Sequence, residues 1–182
     1  MKELSLNILD IAENSIKARA TLTEISITER GNLLTLTIKD DGVGMSEETL
    51  RSVTNPFYTT RKTRSVGLGI PLLKLTAEQT GGGLSIISKI ADNLDPTHGT
   101  TVSARFYKDH LDFTPLGDVI SSITTLILGH PDTDILFTHE TEGGRVELDT
   151  RELREVLEGV PLDNYEVISW IRENLEEQYA SI

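Results

Sequence analysis

Four polar side chains near the start of the chain recur at the spacing of one helix face. When successive residues turn by about 100°, Asn7, Asp10, Asn14 and Lys17 fall within a sector of roughly 80°. Asn14 offers a neutral oxygen to Mg²⁺, which prefers oxygen ligands, and Lys17 can reach a phosphate chain one turn later. The alternative is the ordinary solvated face of an amphipathic helix.

A second group of residues stands at the end of a predicted strand, where Asp40 is followed by Gly42, Gly44 and Met45. A carboxylate does not pair with a phosphate, but it accepts a hydrogen bond from the exocyclic amine of adenine. Glycines without a Cβ let a flat ring approach the backbone. The pattern favours a nucleobase site, although glycines at the end of a strand also occur in ordinary turns.

A third group combines glycines at the start of a predicted helix with cations a few residues upstream. The segment Gly67-Leu68-Gly69 precedes the helix, whose free N–H groups attract anions. Arg61, Lys62 and Arg64 lie in the predicted loop before it. A polyphosphate would need such a local group of cations in an acidic protein. A solvated basic loop is the alternative.

The hydrophobic pattern predicts the elements that carry these groups. Apolar residues recur at helical spacing in some segments and alternate in others. The predicted helices and strands, in chain order, are a helix over 3–19, strands over 23–29 and 33–39, a short helix capped by Ser46, a helix over 70–79, and strands over 84–90 and 100–107. This order predicts a two-layer α/β sandwich with helices on one face of a sheet.

The groups resemble, in order, the motifs of the ATP-binding domain shared by histidine kinases, Hsp90, type II topoisomerases and MutL-like repair proteins, known as the GHKL or Bergerat fold. Taken singly each motif is weak, but the ordered set is a strong signal. The resemblance covers residues 1–108 and rests on DIAENSIKA at 10–18, DDGVG at 40–44, NPFYTTRK at 55–62, SVGLGI at 65–70 and GTTV at 99–102.

The resemblance implies ATP and Mg²⁺ as cofactors and a role for each matching residue. Asn14 is implied as the Mg²⁺ ligand and Asp40 as the acceptor for adenine, which Thr100 helps to hold. Gly67 and Gly69 are implied as phosphate contacts. The other residues expected to bind the nucleotide are Lys17, Gly42, Gly44, Met45, Arg61, Lys62 and Leu68.

Position 10 leaves the fate of the γ-phosphate open. The hydrolytic branch of the family usually carries Glu there as the base that activates water, and Asp10 reaches about one bond less far. Lys17, three residues after Asn14, matches the kinase branch instead. Ser65 replaces the first glycine of the usual Gly-x-Gly-x-Gly run. ATP hydrolysis, phosphoryl transfer and nucleotide sensing without catalysis all remain open.

Residues 109–182 are predicted to form a small α+β region that packs on the first domain or docks a partner. The pattern indicates a helix over 116–128, a hairpin over 135–149, a helix capped by Thr150 and a last helix capped by Asp163 or Asn164. His110 opens HLDFTPL, which copies the spacing of the kinase phosphoacceptor motif. That motif normally precedes the ATPase domain, so linker packing is the alternative.

Composition sets the outer bounds. The 182 residues carry a net charge of −12 and no cysteine, which excludes disulfides, thiolate metal sites and a cysteine nucleophile. The acidity argues against a nucleic-acid partner. It is concentrated in residues 109–182, where 17 Asp and Glu stand against four Arg and no Lys, whereas residues 1–108 are nearly neutral at +1. The absence of a signal peptide or a long apolar stretch predicts a cytoplasmic location and no membrane partner.

We therefore expect a stand-alone Mg·ATP-binding regulatory protein of histidine-kinase-like type, with slow ATPase or kinase activity that controls a partner protein. Monomer and homodimer are both open. One alternative is a Ser/Thr protein kinase of the anti-sigma-factor type. Another is a non-catalytic nucleotide sensor accessory to a hydrogenase or NADH-linked electron-transfer system. This last idea comes from a weaker likeness to stand-alone GHKL proteins of anaerobic bacteria, in residues 115–118, 129–132 and 148–152.

Overall fold

The computed structural model describes residues 3–53, 68–92 and 97–182, and these ranges form six helices and six strands. The helices are α1 (Leu4–Lys17), α2 (Glu47–Val53), α3 (Gly69–Gln79), α4 (Val119–Gly129), α5 (Thr150–Leu157) and α6 (Tyr165–Ala180). The strands are β1 (Leu22–Arg30), β2 (Leu33–Asp40), β3 (Gly83–Lys89), β4 (Gly99–Tyr107), β5 (Asp134–Glu140) and β6 (Arg145–Asp149). None of these helices is long and apolar enough to cross a membrane.

The strands form one mixed sheet in the order β3-β4-β2-β1-β5-β6. Only the β1–β5 pair is parallel among these strands, and every other neighbouring pair is antiparallel. In the central strand β2, Asp40 stands opposite Thr23 of β1 and Thr100 of β4. The candidate adenine acceptor therefore lies at the end of a strand that is paired on both sides.

Alternation along the strands separates an apolar face from a polar one. The buried face of the two central strands carries Ile25 and Ile27 of β1 and Leu34, Leu36 and Ile38 of β2. The helices α1, α3, α4 and α6 cover the sheet, with α1 in contact with both α3 and α4, and α4 in contact with α6. The predicted two-layer α/β sandwich is confirmed.

The strands of residues 109–182 continue the same sheet rather than forming another. β5 pairs with β1 over seven residue pairs from Leu22 with Asp134 to Thr28 with Glu140. Helix α4 packs on α1, where His130 Nε2 lies 2.7 Å from Glu13 Oε1. The assignment of residues 1–108 and 109–182 as two units stays a prediction.

Two predicted helix starts are displaced by capping side chains. Helix α4 begins at Val119 rather than 116, because the Asp118 carboxylate accepts a hydrogen bond of 2.8 Å from the N–H of Ser121. Asp149, not Thr150, caps α5. Thr150 is buried instead, and its hydroxyl accepts a 2.8 Å hydrogen bond from the N–H of Ile135. The hydroxyl thereby ties the helix to the sheet.

A buried polar network ties β1, β5 and α6 together around His139. The ring Nδ1 lies 2.8 Å from the Tyr179 hydroxyl, and Nε2 lies 3.1 Å from Glu29 Oε1. The other Glu29 oxygen accepts from Lys108 at 2.7 Å. Since a carboxylate only accepts, Nε2 carries the proton and Nδ1 accepts from the Tyr179 hydroxyl. The network holds a neutral histidine in the core.

Because His139 is buried and neutral, we expect the free energy of unfolding to decrease on acidification. Burial lowers the pKa of His139 below its ordinary value of 6.5, and the hydrogen bond to Glu29 offsets only part of this effect. Because the unfolded chain then binds more protons below pH 6.5 than the folded chain does, the free energy of unfolding decreases as the pH falls from that value. We expect His139→Gln to flatten this decrease between pH 7.5 and 5.5 in urea unfolding.

The exposed His110 supplies the matched control for that experiment. It lies in the turn after β4, outside the buried network. We expect His110→Gln to keep the pH dependence of the wild type. Equal slopes for His139→Gln and the wild type would show that the buried network does not govern acid stability.

Candidate functional site

Asp40 is held in one orientation by three donors. Its Oδ1 accepts hydrogen bonds from the N–H groups of Gly42, at 2.9 Å, and Thr100, at 3.2 Å. Its Oδ2 accepts from the Ser15 hydroxyl at 2.9 Å. The side chain is 9% exposed and lines a cavity. A fixed, buried carboxylate with one oxygen short of partners is suited to accept a hydrogen bond from a ligand.

The cavity at Asp40 has a volume of about 230 Å³. Its walls are mainly apolar, and its polar groups are Asn14, Ser15, Lys17, Asp40, Thr49 and Thr100. Apolar walls with a few convergent polar groups are typical of small-molecule sites, but those sites usually measure roughly 300–1,000 Å³. The described part of this cavity therefore has room for a flat ring system and not for a whole nucleotide.

The polar face predicted on α1 separates into buried and exposed members. Asn14 and Lys17 both line the cavity, and the Asn14 amide has no hydrogen-bond partner among residues 3–53, 68–92 and 97–182. Asp10 is exposed. Asn7 is instead 1% exposed, and neither of its amide atoms has a partner in the described part of the chain. The face is thus not a uniformly solvated one.

The glycines after β2 are required by close packing within the protein. A Cβ on Gly42 would lie 2.8 Å from the Ala18 carbonyl oxygen. Gly44 has φ +71°, and its Cβ would lie 1.9 Å from the Lys89 carbonyl oxygen. These two contacts lock the loop against α1 and against the end of β3. Approach of a ring to their backbone stays a prediction, with Gly44 and Met45 in the cavity wall.

The start of α3 lies against α1. Gly69 is the first residue of α3 and is buried, and a Cβ added there would lie 3.0 Å from the Cβ of Asp10. Leu68 occupies the N-cap position and is 63% exposed. The close contact brings Asp10 beside the N-terminus of the helix that was predicted to bind phosphate. Neither residue lines the cavity, and Asp10 as a general base stays a prediction.

Three of the predicted nucleotide-binding residues, Arg61, Lys62 and Gly67, lie outside the described residues, as does Arg64. Thr100 is in place, because it lines the cavity and its N–H binds Asp40. Its hydroxyl lies 2.8 Å from the Ser88 hydroxyl. The residues that the structure brings together are therefore Asn14, Lys17, Asp40, Gly44, Met45 and Thr100.

Three supporting side chains of the cavity were not predicted from the sequence. Ser15 donates to Asp40, and Ser88 accepts from the N–H of Met45 at 2.8 Å. His98 Nδ1 lies 2.7 Å from the Gly42 carbonyl oxygen. Ser15 carried a detectable signal, because it is a polar residue four positions after Ile11 on the buried face of α1. Ser88 and His98 had no such signal, since strand pairing alone brings them to the site.

Comparison with known proteins gives one family and a group of related sensor kinases. A family model described as histidine kinase-, DNA gyrase B-, and HSP90-like ATPase matches residues 2–110. The sensor histidine kinase YkoH of Bacillus subtilis is 32% identical over 111 residues, which cover 58% of this chain and 22% of YkoH. A sensor-like histidine kinase of Rhizobium meliloti is 34% identical over 88 residues, which cover 44% of this chain and 17% of that kinase. The chain thus spans about a fifth of the length of these relatives.

The fold is shared with a solved ATPase domain. The ATPase domain of MutL from Aquifex aeolicus, solved with ADP, superimposes with a TM-score of 0.53 at 17% sequence identity. The superposition covers 87% of this chain and 70% of that one. At this level of identity the likeness concerns the fold.

Proposed function

Because the chain belongs to the histidine kinase-, DNA gyrase B-, and HSP90-like ATPase family, we propose that its cavity binds the adenine of Mg·ATP and that the bound nucleotide controls a partner protein. The observation that carries this proposal is the orientation of Asp40. Its carboxylate is fixed by Gly42, Thr100 and Ser15 at the wall of a mainly apolar cavity. An exocyclic amine supplies the donor that Oδ2 can still accept.

The size of the cavity supports adenine inside it and the phosphates beyond it. About 230 Å³ suits a base, and Lys17 and Asn14 line the same space. The Lys17 ammonium favours a phosphate near it through charge, and the N-terminus of α3, which lies beside Asp10, also favours an anion. We infer that the described lining residues form a base pocket and the start of a phosphate site. Arg61, Lys62 and Gly67 would complete this phosphate site.

The residues present also fit a Mg²⁺ ion carried by the nucleotide. Mg²⁺ usually takes one or two protein oxygens and completes its shell with phosphates and water. The Asn14 amide has no partner among the described residues and lines the cavity, so its oxygen can serve as that ligand. The neighbouring Glu13 is already engaged by His130 at 2.7 Å. When bound, the ion would offset negative charge on the phosphates.

We further propose slow ATPase or kinase activity, in which Asp10 can act as a base. Its position beside Gly69 places a carboxylate next to the N-terminus of α3, where the phosphates are expected. Slow turnover follows from the short side chain at this position, since a base must reach within about 3 Å of the proton that it takes. A slow reaction suits a protein whose nucleotide state acts as a signal.

Calorimetric titration with ATP and with ADP in the presence of Mg²⁺ tests the binding proposal. We expect saturable binding of one nucleotide per chain. Absence of binding of either nucleotide at millimolar concentration would contradict it. The relatives named as sensor histidine kinases and the MutL domain solved with ADP support this expectation.

Incubation with γ-labelled Mg·ATP then distinguishes the reactions. Free phosphate released above the buffer rate, and reduced in Asp10→Asn, would identify hydrolysis. Label on the chain that is lost in His110→Gln would identify histidine phosphorylation. Binding with no turnover would contradict catalysis and leave a nucleotide sensor.

A further inference from the structure

A groove of about 620 Å³ separates helices α5 and α6 and shares no lining residue with the nucleotide cavity. Its floor is formed by Leu153, Leu157 and Val167, and its walls by Val156, Val160 and Trp170. The floor residues also pack against the hydrophobic core. The floor of the groove is therefore continuous with the hydrophobic core.

Three apolar side chains in the walls of this groove are exposed to solvent. Val156 is 80% exposed, Trp170 49% and Val160 44%. Single exposed apolar residues are common, but a cluster along one groove marks an interaction site. Tryptophan at such a place is a strong candidate anchor, since it buries much area and loses few rotamers on binding.

The groove has a fixed shape before anything binds. Helix α5 ends at Leu157, and the positive φ angles of the next two residues, +48° at Glu158 and +99° at Gly159, reverse the chain. Leu162 is fully buried and anchors the turn. The Asn164 side chain then caps α6 by accepting from Glu166 N–H at 2.9 Å. A preformed groove loses little conformational entropy when a partner binds.

Carboxylates surround the groove without local compensation. Glu152 and Glu166 lie one helical turn before Val156 and Trp170, respectively. The two carboxylates and Val156 are exposed, and Trp170 is half-exposed. Glu173 follows Trp170 by one turn. None of these three carboxylates forms an ion pair within the described ranges 3–53, 68–92 and 97–182. The rim of the groove is thus acidic.

The arginines of α5 and α6 do not neutralise this rim. Arg151 pairs with Asp149 at 2.6 Å, and Arg154 pairs with Asp134 at 2.7 Å. Arg172 reaches the Thr124 hydroxyl of α4 at 3.3 Å. Each cation is thus engaged with a residue outside the groove.

We propose that the groove docks one amphipathic helix of a partner protein, with an apolar stripe toward Trp170 and Lys or Arg on its flanks. A helix laid in an apolar groove is a recurring mode of recognition, and charge complementarity selects the basic one. A second copy of this chain would bring another acidic rim against the first. An anionic lipid surface would be repelled for the same reason.

This inference supplies the docking surface for the partner invoked under the proposed function, and its test needs no nucleotide. Trp170 is the single tryptophan of the chain, so its fluorescence reports on the groove. The probe is a synthetic peptide of about 18 residues, long enough to form a helix, with Leu on one face and Lys on the other. Its control replaces every Lys by Glu. We expect a saturable blue shift with the Leu–Lys peptide and none with the Leu–Glu peptide.

A matched pair of variants separates docking from general charge attraction. Val156→Asp places a charge in the groove wall, whereas Leu111→Asp adds the same charge at a side chain that is 97% exposed elsewhere. We expect Val156→Asp to weaken peptide binding by about tenfold or more and Leu111→Asp to leave it unchanged. Pure charge attraction predicts the opposite sign, because both variants make the chain more acidic.

Three results would overturn the proposal. The first is equal binding of the Leu–Lys and Leu–Glu peptides, and the second is undiminished binding of the Leu–Lys peptide by the Val156→Asp variant. The third is self-association of the free chain that shifts Trp170 fluorescence, which would assign the groove to a second copy. ATP affinity is measured on the same variant, and we expect Val156→Asp to bind ATP as the wild type does. Loss of peptide binding and loss of ATP binding are thus separate results, so failure of the groove and failure of the nucleotide site are distinguishable.

Discussion

Replacing Asp40 by Asn is expected to weaken ATP binding by about 10- to 100-fold. A hydrogen bond to a charged group contributes roughly 1.5–3 kcal/mol, and each 1.4 kcal/mol is a factor of ten in affinity. The Asn Oδ1 would keep the bonds from Gly42 and Thr100 N–H. Its amide nitrogen would then face the exocyclic amine, donor against donor. Isothermal titration calorimetry measures the loss.

Asp41→Asn is the matched control for that change. Asp41 stands next to Asp40 but does not line the cavity, and its carboxylate accepts from the N–H groups of Thr21 and Leu22 at 2.7 and 2.9 Å. Burial alone would raise the pKa of Asp41, but the hydrogen bonds outweigh it and lower the pKa. The control removes a carboxylate that matters to stability, and ATP affinity should be unchanged. Equal losses in both variants would contradict a specific role for Asp40.

Gly44→Ala is expected to lower the free energy of unfolding by about 2–5 kcal/mol. The left-handed backbone costs an ordinary residue roughly 1–2 kcal/mol. Overpacking typically adds about 1–3 kcal/mol, and here the new Cβ would lie 1.9 Å from the Lys89 backbone oxygen, which cannot rotate away. The loop would have to leave β3, where the Val43 carbonyl oxygen accepts from Ala91 N–H at 2.9 Å. ATP affinity should fall with stability, because Gly44 lines the cavity.

Gly31→Ala isolates the backbone component of that effect. Gly31 also has a positive φ, +54°, but a Cβ there would have no atom within 4 Å. We expect a loss of about 1–2 kcal/mol in urea unfolding and unchanged ATP affinity. If Gly44→Ala were no less stable than Gly31→Ala, the close packing of the loop on β3 would be wrong.

The fold was largely predictable because the sequence patterns on α1, β1 and β2 are regular. Apolar residues at helical spacing and strict alternation placed these elements within two residues of their observed ends. The grouping of Asn14, Lys17 and Asp40 around one cavity was predictable, whereas their roles toward a nucleotide stay predictions. Each of these residues sits in a short motif, and the fold carries the motifs to one cavity.

What could not be predicted depends on contacts between distant segments. The glycine at 44 looked like an opening for a ring, but its φ and its contact with Lys89 arise only when β3 lies beside the loop. Ser88 reaches the site through pairing of β3 with β4, and His98 directly precedes β4. The parallel pairing of β5 with β1 joins residues about 110 positions apart, and no local pattern specifies such a partner.

The most direct test of adenine recognition compares ATP with inosine triphosphate on the wild-type chain. The two nucleotides differ at the position that Asp40 is proposed to read, where inosine carries a carbonyl oxygen in place of the amine. We predict that inosine triphosphate binds at least about tenfold more weakly, because two acceptors would face each other across the cavity. In Asp40→Asn this preference should disappear. Equal affinity of the wild type for both nucleotides would contradict the assignment of Asp40 as the residue that selects adenine.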